Sequence, residues 1–168
     1  MGICSSLTLR NKYDPFLKKI VTCYEKWIMF DNRMRSLQWV GKNESPKNFP
    51  KLMNSNKKLL LTIWLKCDGI IYHKFLNPGE IMIADQYCKE LEEMNQKLSV
   101  LKPALVKRRG PILLHDNAIP HVSKITVQKL NELGYEILLY PPYSPNFSLT
   151  DCHLFKELEL HLLRKKIL

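Results

Sequence analysis

The hydrophobic pattern of the first half of the chain predicts four strands. They are Lys19–Phe30, Met34–Val40, Leu59–Leu65 and Ile70–Leu76. Residues 41–58 are polar and contain two prolines, which predicts a loop. The turn dipeptide Asp68-Gly69 separates the last two strands, so we expect these strands to pair as an antiparallel hairpin.

An amphipathic helix is predicted next. Its apolar positions fall on one face at 100° per residue, namely Tyr87, Leu91, Met94, Leu98 and Leu101. Asp85 is the predicted N-cap, and Pro103 lies just past the predicted end. Glu and Lys occupy the other face, as expected for a helix that covers a sheet on one side.

The second half of the chain alternates strands and helices. The predicted elements are a buried strand at Pro111–Leu114, a helix that ends at Gly134, a strand at Tyr135–Tyr140 and a helix at Thr150–Leu163. The helix before Gly134 places its apolar residues on one side, namely Val122, Ile125, Leu130 and Leu133. Strands followed by alternating helices and strands predict an α/β fold, a mixed sheet flanked by helices.

The net charge narrows the range of partners. The chain has 168 residues, with 26 Lys and Arg against 16 Asp and Glu, and a formal charge of +10. This surplus favours polyanions such as nucleic acid, although a solvated basic surface explains it equally well. Lys107-Arg108-Arg109 and Arg164-Lys165-Lys166 are candidate phosphate contacts, each read more simply as a solvated surface or, for the second, a frayed terminus.

The cysteines and the apolar runs exclude several classes of protein. The five cysteines form no CxxC pair and have no zinc-ligand spacing, which favours reduced thiols in an intracellular protein. Leu59–Leu65 is far too short to span a bilayer, and no sustained apolar segment resembles a signal peptide. We therefore expect no membrane partner.

Two aspartates are candidates for chemistry. Asp116 directly follows the buried strand, where ligands gather in open α/β sheets, although an Asp-Asn pair is also typical of a turn. Asp151 lies in the first turn of the last helix, and 100° spacing turns it towards the core side. A favourable interaction with the helix dipole explains why Asp151 lies in the first turn, but it does not explain why Asp151 faces the core. Two inward carboxylates suit divalent-metal chemistry on phosphodiesters, because Mg²⁺ prefers oxygen ligands.

Sequence motifs around these aspartates resemble those of mariner-type DNA transposases of the Tc1/mariner superfamily. The segment His115–His121 is similar to the family signature HDNARPH, and Tyr140–Asp151 resembles the segment PPYSPDLxPxD. Thirty-four residues separate Asp116 from Asp151, which is the mariner spacing. Val21–Ile28 resembles the strand VTxDEKWI that carries the first catalytic Asp, so the likeness covers nearly the whole chain.

The resemblance implies a ribonuclease-H-like fold, two Mg²⁺ or Mn²⁺ ions, DNA as the partner and a nuclear location, with no small-molecule substrate. Asp116 and Asp151 take the second and third metal-ligand roles. Residues 1–18 correspond to a remnant of the inter-domain linker and residues 19–168 to an incomplete catalytic domain, truncated at its C-terminus. The regions that read inverted repeats and join the family's dimers have no counterpart in this sequence.

The first ligand position departs from the family, because it holds Tyr24. A phenol is neutral at pH 7 and does not supply the negative charge that bridges two dications. Glu25 is a poor substitute, since neighbouring strand residues point to opposite faces and Glu25 is expected to project away from the site. Ile119 stands where the family has Arg, and Asn146 where it usually has Asp.

These departures leave three functional hypotheses. The first is a degenerate mariner catalytic domain that retains nucleic-acid affinity with little or no transposition. The second is a non-catalytic module that binds nucleic acid, a full-length transposase or itself. The third is a weak nuclease that uses one metal ion held by Asp116 and Asp151, because Mg²⁺ needs only one or two carboxylates.

Overall fold

The computed structural model describes residues 3–29, 38–47, 58–141, 144 and 150–164. In chain order the first elements are α1 (Ile3–Tyr13), a 3₁₀ turn (Leu17–Lys19), β1 (Ile20–Met29), β2 (Lys58–Lys66), β3 (Gly69–Phe75) and α2 (Ala84–Leu101). They are followed by a π-helical segment (Leu105–Arg109), β4 (Ile112–Leu114), α3 (Ile119–Val122), α4 (Lys124–Glu132), β5 (Glu136–Ile137), a second π-helical segment (Thr150–Phe155) and α5 (Lys156–Arg164).

The five strands form one mixed sheet in the order β3-β2-β1-β4-β5. β2 pairs antiparallel with both β1 and β3, whereas β4 is parallel to β1 and β5 is parallel to β4. The predicted hairpin is confirmed, and Gly69 begins β3 with a φ of 131°, which an L side chain rarely adopts. The prediction of a mixed sheet flanked by helices is also confirmed.

Helices cover both faces of the sheet. The larger core lies under α2 and α4, and its fully buried members include Val21, Trp64, Tyr87, Leu91, Met94, Leu98, Leu113 and Leu130. On the opposite face, Phe155 is buried against Leu61 and Ile63 of β2. A third cluster packs Leu7 of α1 near the β4 residues Ile112 and Leu114. Period-two alternation along β1 sends Val21 and Cys23 to the α2 face and Tyr24 to the α5 face.

The second predicted strand is not found where the structure can test it. Residues 38–40 are irregular, and residues 34–37 lie outside the described part of the chain. The predicted N-cap of α2 is also wrong, because the cap is Ile83 and Asp85 lies inside the first turn. Leu101 is 60% exposed, since it is the last residue of α2 and extends past the sheet.

The later elements need similar corrections. Val122 and Ile125 are about half exposed, because Ser123 separates α3 from α4 and breaks the continuous 100° spacing. The strand predicted at Tyr135–Tyr140 has only two residues, Glu136–Ile137. The last helix begins with a π-helical segment, so the 100° spacing does not hold over its first six residues. Within the described residues, no helix is long and apolar enough to cross a membrane.

Candidate active site

Asp116 lies two residues past the end of β4, at the carboxyl edge of the two central parallel strands. Thr22 of β1 is paired with Leu114 of β4. Continuing this parallel register by two residues brings Tyr24 level with Asp116. The fold therefore places Tyr24 and Asp116, the predicted first and second ligand positions, next to each other on neighbouring strands.

Asp116 is held by a buried histidine. Nδ1 of His121 lies 2.7 Å from Oδ1 of Asp116, and Nε2 of the same ring lies 2.9 Å from Oε1 of Glu25. The backbone N–H of Ala118 also donates to Oδ1 at 3.0 Å. The His121 side chain is 2% exposed, whereas the carboxylates of Glu25 and Asp116 are 14% and 44% exposed. One imidazole thus joins the end of β4 to the middle of β1.

The two carboxylates keep this imidazole charged. Burial opposes the charge on His121, but the hydrogen bonds to Asp116 and Glu25 outweigh burial and raise its pKa to about 9. The hydrogen bond from His121 in turn lowers the pKa of Asp116 below its usual value. At neutral pH both ring nitrogens therefore carry protons, and the ring donates to one carboxylate on each side. We call these three residues, Glu25, His121 and Asp116, the carboxylate–histidine bridge.

Aromatic rings enclose the bridge on the α2 face. The ring centroid of His121 lies 4.3 Å from that of Tyr87 and 5.1 Å from that of His115. The hydroxyl of Tyr87 shares a hydrogen bond of 3.0 Å with Nδ1 of His115. Burial, with the nearby charge of His121, lowers the pKa of His115 to about 4. His115 is consequently neutral at pH 7 and serves as packing and as a hydrogen-bond partner.

Tyr24 occupies the opposite face of β1. Its ring lies 5.6 Å from the ring of Phe155, which is fully buried at the junction of the last π-helical segment with α5. Ile63, the partner of Tyr24 on β2, belongs to the same apolar cluster. The phenol is thus part of the packing that holds the last helix against the sheet.

One family model and two relatives agree on the kind of domain this chain contains. Residues 29–108 match the family model "Transposase (partial DDE domain)". Over 98% of its length the chain is 56% identical to the human histone-lysine N-methyltransferase SETMAR, of which it covers 24%. It is also 33% identical to the mariner Mos1 transposase of Drosophila mauritiana, over 90% of this chain and 44% of that protein.

Solved structures extend the likeness to three dimensions. The catalytic domain of Mos1 transposase with raltegravir and Mn superposes with a TM-score of 0.78 at 32% identity, over 97% of this chain and 70% of that one. The chain belongs to the mariner transposase family. The pre-cleavage Mos1 transpososome gives a TM-score of 0.82 at 34% identity, covering 95% of this chain and 47% of that one. The likeness confirms the predicted ribonuclease-H-like fold of this transposase domain.

This transposase chain spans only part of the curated relatives, 24% of SETMAR and 44% of Mos1. What those proteins do as wholes is therefore not shown for it. Structures of the Mos1 catalytic domain exist with Mn and with Mg, which supports the use of divalent metals within the family.

The structure describes the side chains of only some of the predicted site residues. Asp116 stands at the carboxyl edge, as predicted. The backbone of Asp151 lies in the π-helical segment that contacts β1, but its side chain lies outside the described part, so its role as third ligand stays a prediction. Lys107 is exposed, whereas the side chains of Arg108 and Arg109 are not described. The cluster at 164–166 falls almost wholly outside the described residues.

The described donors do not fit a pair of metal ions. Among the side chains that the structure describes, no three His, Cys, Asp or Glu converge as a metal site would require. Asp116 contributes one carboxylate, whose Oδ1 is already hydrogen-bonded to His121 and Ala118. Tyr24 offers a phenol where an anionic oxygen would bridge two dications.

The sequence prediction for Glu25 needs a correction. Glu25 does lie on the face opposite to Tyr24, but its carboxylate does not simply project away, because it reaches the histidine that also holds Asp116. Sequence reasoning missed His121 as the link, since the contact joins residues 96 positions apart. The available signal was an acidic residue next to the first-ligand position, together with two histidines that flank Asp116 within seven residues.

Proposed function

We propose that this transposase domain binds DNA but has lost metal-dependent cleavage, because Tyr24 replaces the first catalytic carboxylate. The observation that carries the proposal is the position of Tyr24, level with Asp116 on the neighbouring strand and packed against Phe155. A phenol in that packing lacks the anionic oxygen that would bridge two dications. DNA as the partner, with the nuclear location that follows, is supported by the net charge of +10 and by the transpososome structures of Mos1.

The second half of the proposal is that the rest of the site is preserved. Asp116 is ionised and oriented by His121 and by the Ala118 N–H. In the described part of the chain, no hydrogen bond occupies its other oxygen, Oδ2. A carboxylate that is fixed on one oxygen and open on the other is ready to bind a cation, so the proposed defect lies at Tyr24 rather than at Asp116.

We also propose that residues 19–168 form the catalytic domain and that residues 1–18 are the remnant of a linker. The guanidinium of Arg10 on α1 donates two hydrogen bonds to Glu136 of β5, one of them 2.8 Å long, which docks the remnant on the edge of the sheet. This exposed ion pair contributes little free energy by itself.

Nicking of supercoiled plasmid in Mn²⁺ tests the proposal. We expect the native chain to give no nicked product, Tyr24→Asp to nick, and the double variant Tyr24→Asp/Asp116→Ala to lose that activity. The thermal unfolding of each variant is measured in parallel, so that inactivity is not confused with unfolding. If Tyr24→Asp is folded but neither nicks nor binds Mn²⁺, Tyr24 is not the decisive defect.

A weak single-metal nuclease is the second candidate, and the open Oδ2 of Asp116 is the observation that favours it. One Mg²⁺ needs only one or two protein carboxylates, with water and substrate phosphate as the remaining ligands. Nicking by the native chain that disappears in Asp116→Ala would establish this candidate and overturn the proposed loss of cleavage. A third possibility, binding to a full-length transposase or to itself, predicts mixed oligomers in analytical ultracentrifugation.

A further inference from the structure

A basic cleft lies at the end of the sheet opposite to Asp116. It has a volume of about 470 Å³ and is lined by Lys18, Lys19, Lys66 and Lys102 together with the apolar residues Leu101, Pro103, Ala104 and Leu105. This volume falls within the range of ligand-binding pockets. The four lysines come from three separate places in the chain, so no basic run in the sequence indicates the cleft.

Secondary structure fixes the positions of the lysines. Lys18 and Lys19 end the 3₁₀ turn that precedes β1, and Lys66 is the last residue of β2, paired with Val21. Lys102 is the C-cap of α2, where its backbone N–H donates to the carbonyl of Leu98 at 2.8 Å. The cleft therefore lies at the amino end of β1. From Ile20, the first residue of β1, to Tyr24 the strand rises by roughly 13 Å, so the cleft is well separated from the candidate active site.

Nearby carboxylates neutralise only part of the positive charge of these four lysines. Asp68 accepts from Lys66 at 2.7 Å and lies 3.4 Å from Lys102, and Asp14 lies 3.2 Å from Lys19. The carboxyl end of the α2 dipole also favours cations at this place. Two carboxylates facing four ammonium groups still leave a surplus of positive charge. Since the Lys66 side chain is only 8% exposed, part of this charge is held at the cleft wall rather than in free solvent.

We propose that this cleft binds the phosphodiester backbone of DNA, as a contact separate from the candidate active site. The proposal rests on the DNA binding proposed above and assigns a surface to it. Lysine ammonium groups bind phosphates as point charges, without the base-edge contacts that read sequence, so the contact is independent of sequence. Lys107 is exposed in the π-helical segment that begins at the cleft residue Leu105, two residues along the chain from the cleft.

The test measures binding of the full chain to a fluorescein-labelled 20-base-pair duplex of arbitrary sequence, by anisotropy over a series of salt concentrations. The cleft variant is Lys18→Gln/Lys102→Gln, which leaves the buried Lys66 in place. The matched control is Lys42→Gln/Lys47→Gln, which removes the same charge from two exposed lysines elsewhere. Thermal unfolding confirms that both variants fold.

We expect the cleft variant to bind the duplex about tenfold more weakly at physiological salt, with the slope of log K against log[salt] reduced by about two. The control variant should change the affinity by less than about twofold. Equal losses in both variants would overturn the proposal, because net charge alone would then explain binding. Equally, a polyglutamate peptide that binds as tightly as DNA, and only when the cleft is intact, would assign the cleft to acidic protein instead.

The binding experiment distinguishes an error in the proposed function from an error in the assignment of the cleft. If the native chain does not bind the duplex at any salt concentration, the DNA-binding function is wrong, and the cleft assignment falls with it. If the native chain binds and the cleft variant binds equally well, the function stands and only the cleft assignment is wrong.

Discussion

The two faces of β1 make different kinds of contact in this domain. On the α2 face, Glu25 is joined through His121 to Asp116, in an arrangement that is buried, charged and hydrogen-bonded at both ends. One residue earlier, on the α5 face, Tyr24 packs against Phe155 where the family has a carboxylate. Under the proposed assignment of the metal ligands, the contacts that orient Asp116 are retained while the first-ligand position holds a phenol. The proposed replacement at Tyr24 thus leaves the hydrogen bonds around Asp116 in place.

The largest expected effect comes from removing the centre of the carboxylate–histidine bridge. His121→Ala leaves Glu25 and Asp116 without their shared cation, and loss of one partner from a buried ion pair costs about 3 to 5 kcal/mol. We expect a loss near the lower end of this range, because Asp116 is half exposed. Chemical denaturation measures it. The matched control is the exposed His73→Ala, and equal losses in the two variants would show that the bridge contributes no special stability.

A second prediction concerns a buried acid on the same face. Glu90 of α2 is fully buried, its Oε2 has no hydrogen-bond partner among the described residues, and burial raises its pKa to about 7. The groups that face it are Gln86, whose amide lies 3.5 Å from Oε1, together with Lys74, Thr62 and Glu25.

Because the pKa of Glu90 is higher in the folded state than in the unfolded state, the folded state binds more protons between these two values. The contribution of Glu90 to stability is therefore fully present below about pH 4.5 and is lost as the pH rises through 7, by about 3 kcal/mol for a shift of this size. Glu90→Gln should remove most of this dependence between pH 5 and pH 8, as measured by urea unfolding. An unchanged profile in the variant would place the dependence on another group.

A third prediction tests the α5 face of β1 with the variant Tyr24→Asp. Losing the ring contact with Phe155 should cost about 1 to 2 kcal/mol. Mn²⁺ should restore part of this loss, because a ligand that binds only the folded state raises its stability. Thermal unfolding with and without Mn²⁺ measures both effects. Tyr24→Phe, which keeps the ring, should retain most of the stability and show no response to Mn²⁺; a response there would place the metal elsewhere.

The smallest effect is expected at Ile119, which is 85% exposed beside the site. Ile119→Arg restores the residue type of the family and should change stability by no more than about 0.5 kcal/mol. The slope of log K for DNA binding against log[salt] should become steeper by about one, as expected for one added phosphate contact. The matched control is Val127→Arg on the exposed side of α4. An identical steepening there would make the effect one of net charge.

Much of the fold was predictable from the sequence because local patterns determined it. β1, the hairpin of β2 and β3, α2 and β4 were all found close to their predicted bounds, and Asp116 stands where the end of a buried strand predicts it. The errors arise where tertiary context overrides a local signal. Asp85 has the chemistry of an N-cap, yet the chain enters the helix at Ile83, two residues earlier.

The site was less predictable than the fold for a geometric reason. Alternation along β1 correctly places Tyr24 and Glu25 on opposite faces, but it carries no information about which residues Glu25 contacts on the α2 face. Glu25 reaches Asp116 only through His121, which the turn after β4 and α3 place on the α2 face of the sheet. The sequence does not predict the basic cleft for the same reason, because its lysines lie at the ends of three separate elements.

The level alignment of Tyr24 with Asp116 has a consequence for how such a domain changes with time. Codons for tyrosine and aspartate differ only at their first base, so a single transversion exchanges the two residues in either direction. In this domain the neighbouring strand, the bridge and the last helix are already in place around that position. Under the proposed assignment, a single base change therefore restores the first ligand, for as long as these surroundings persist.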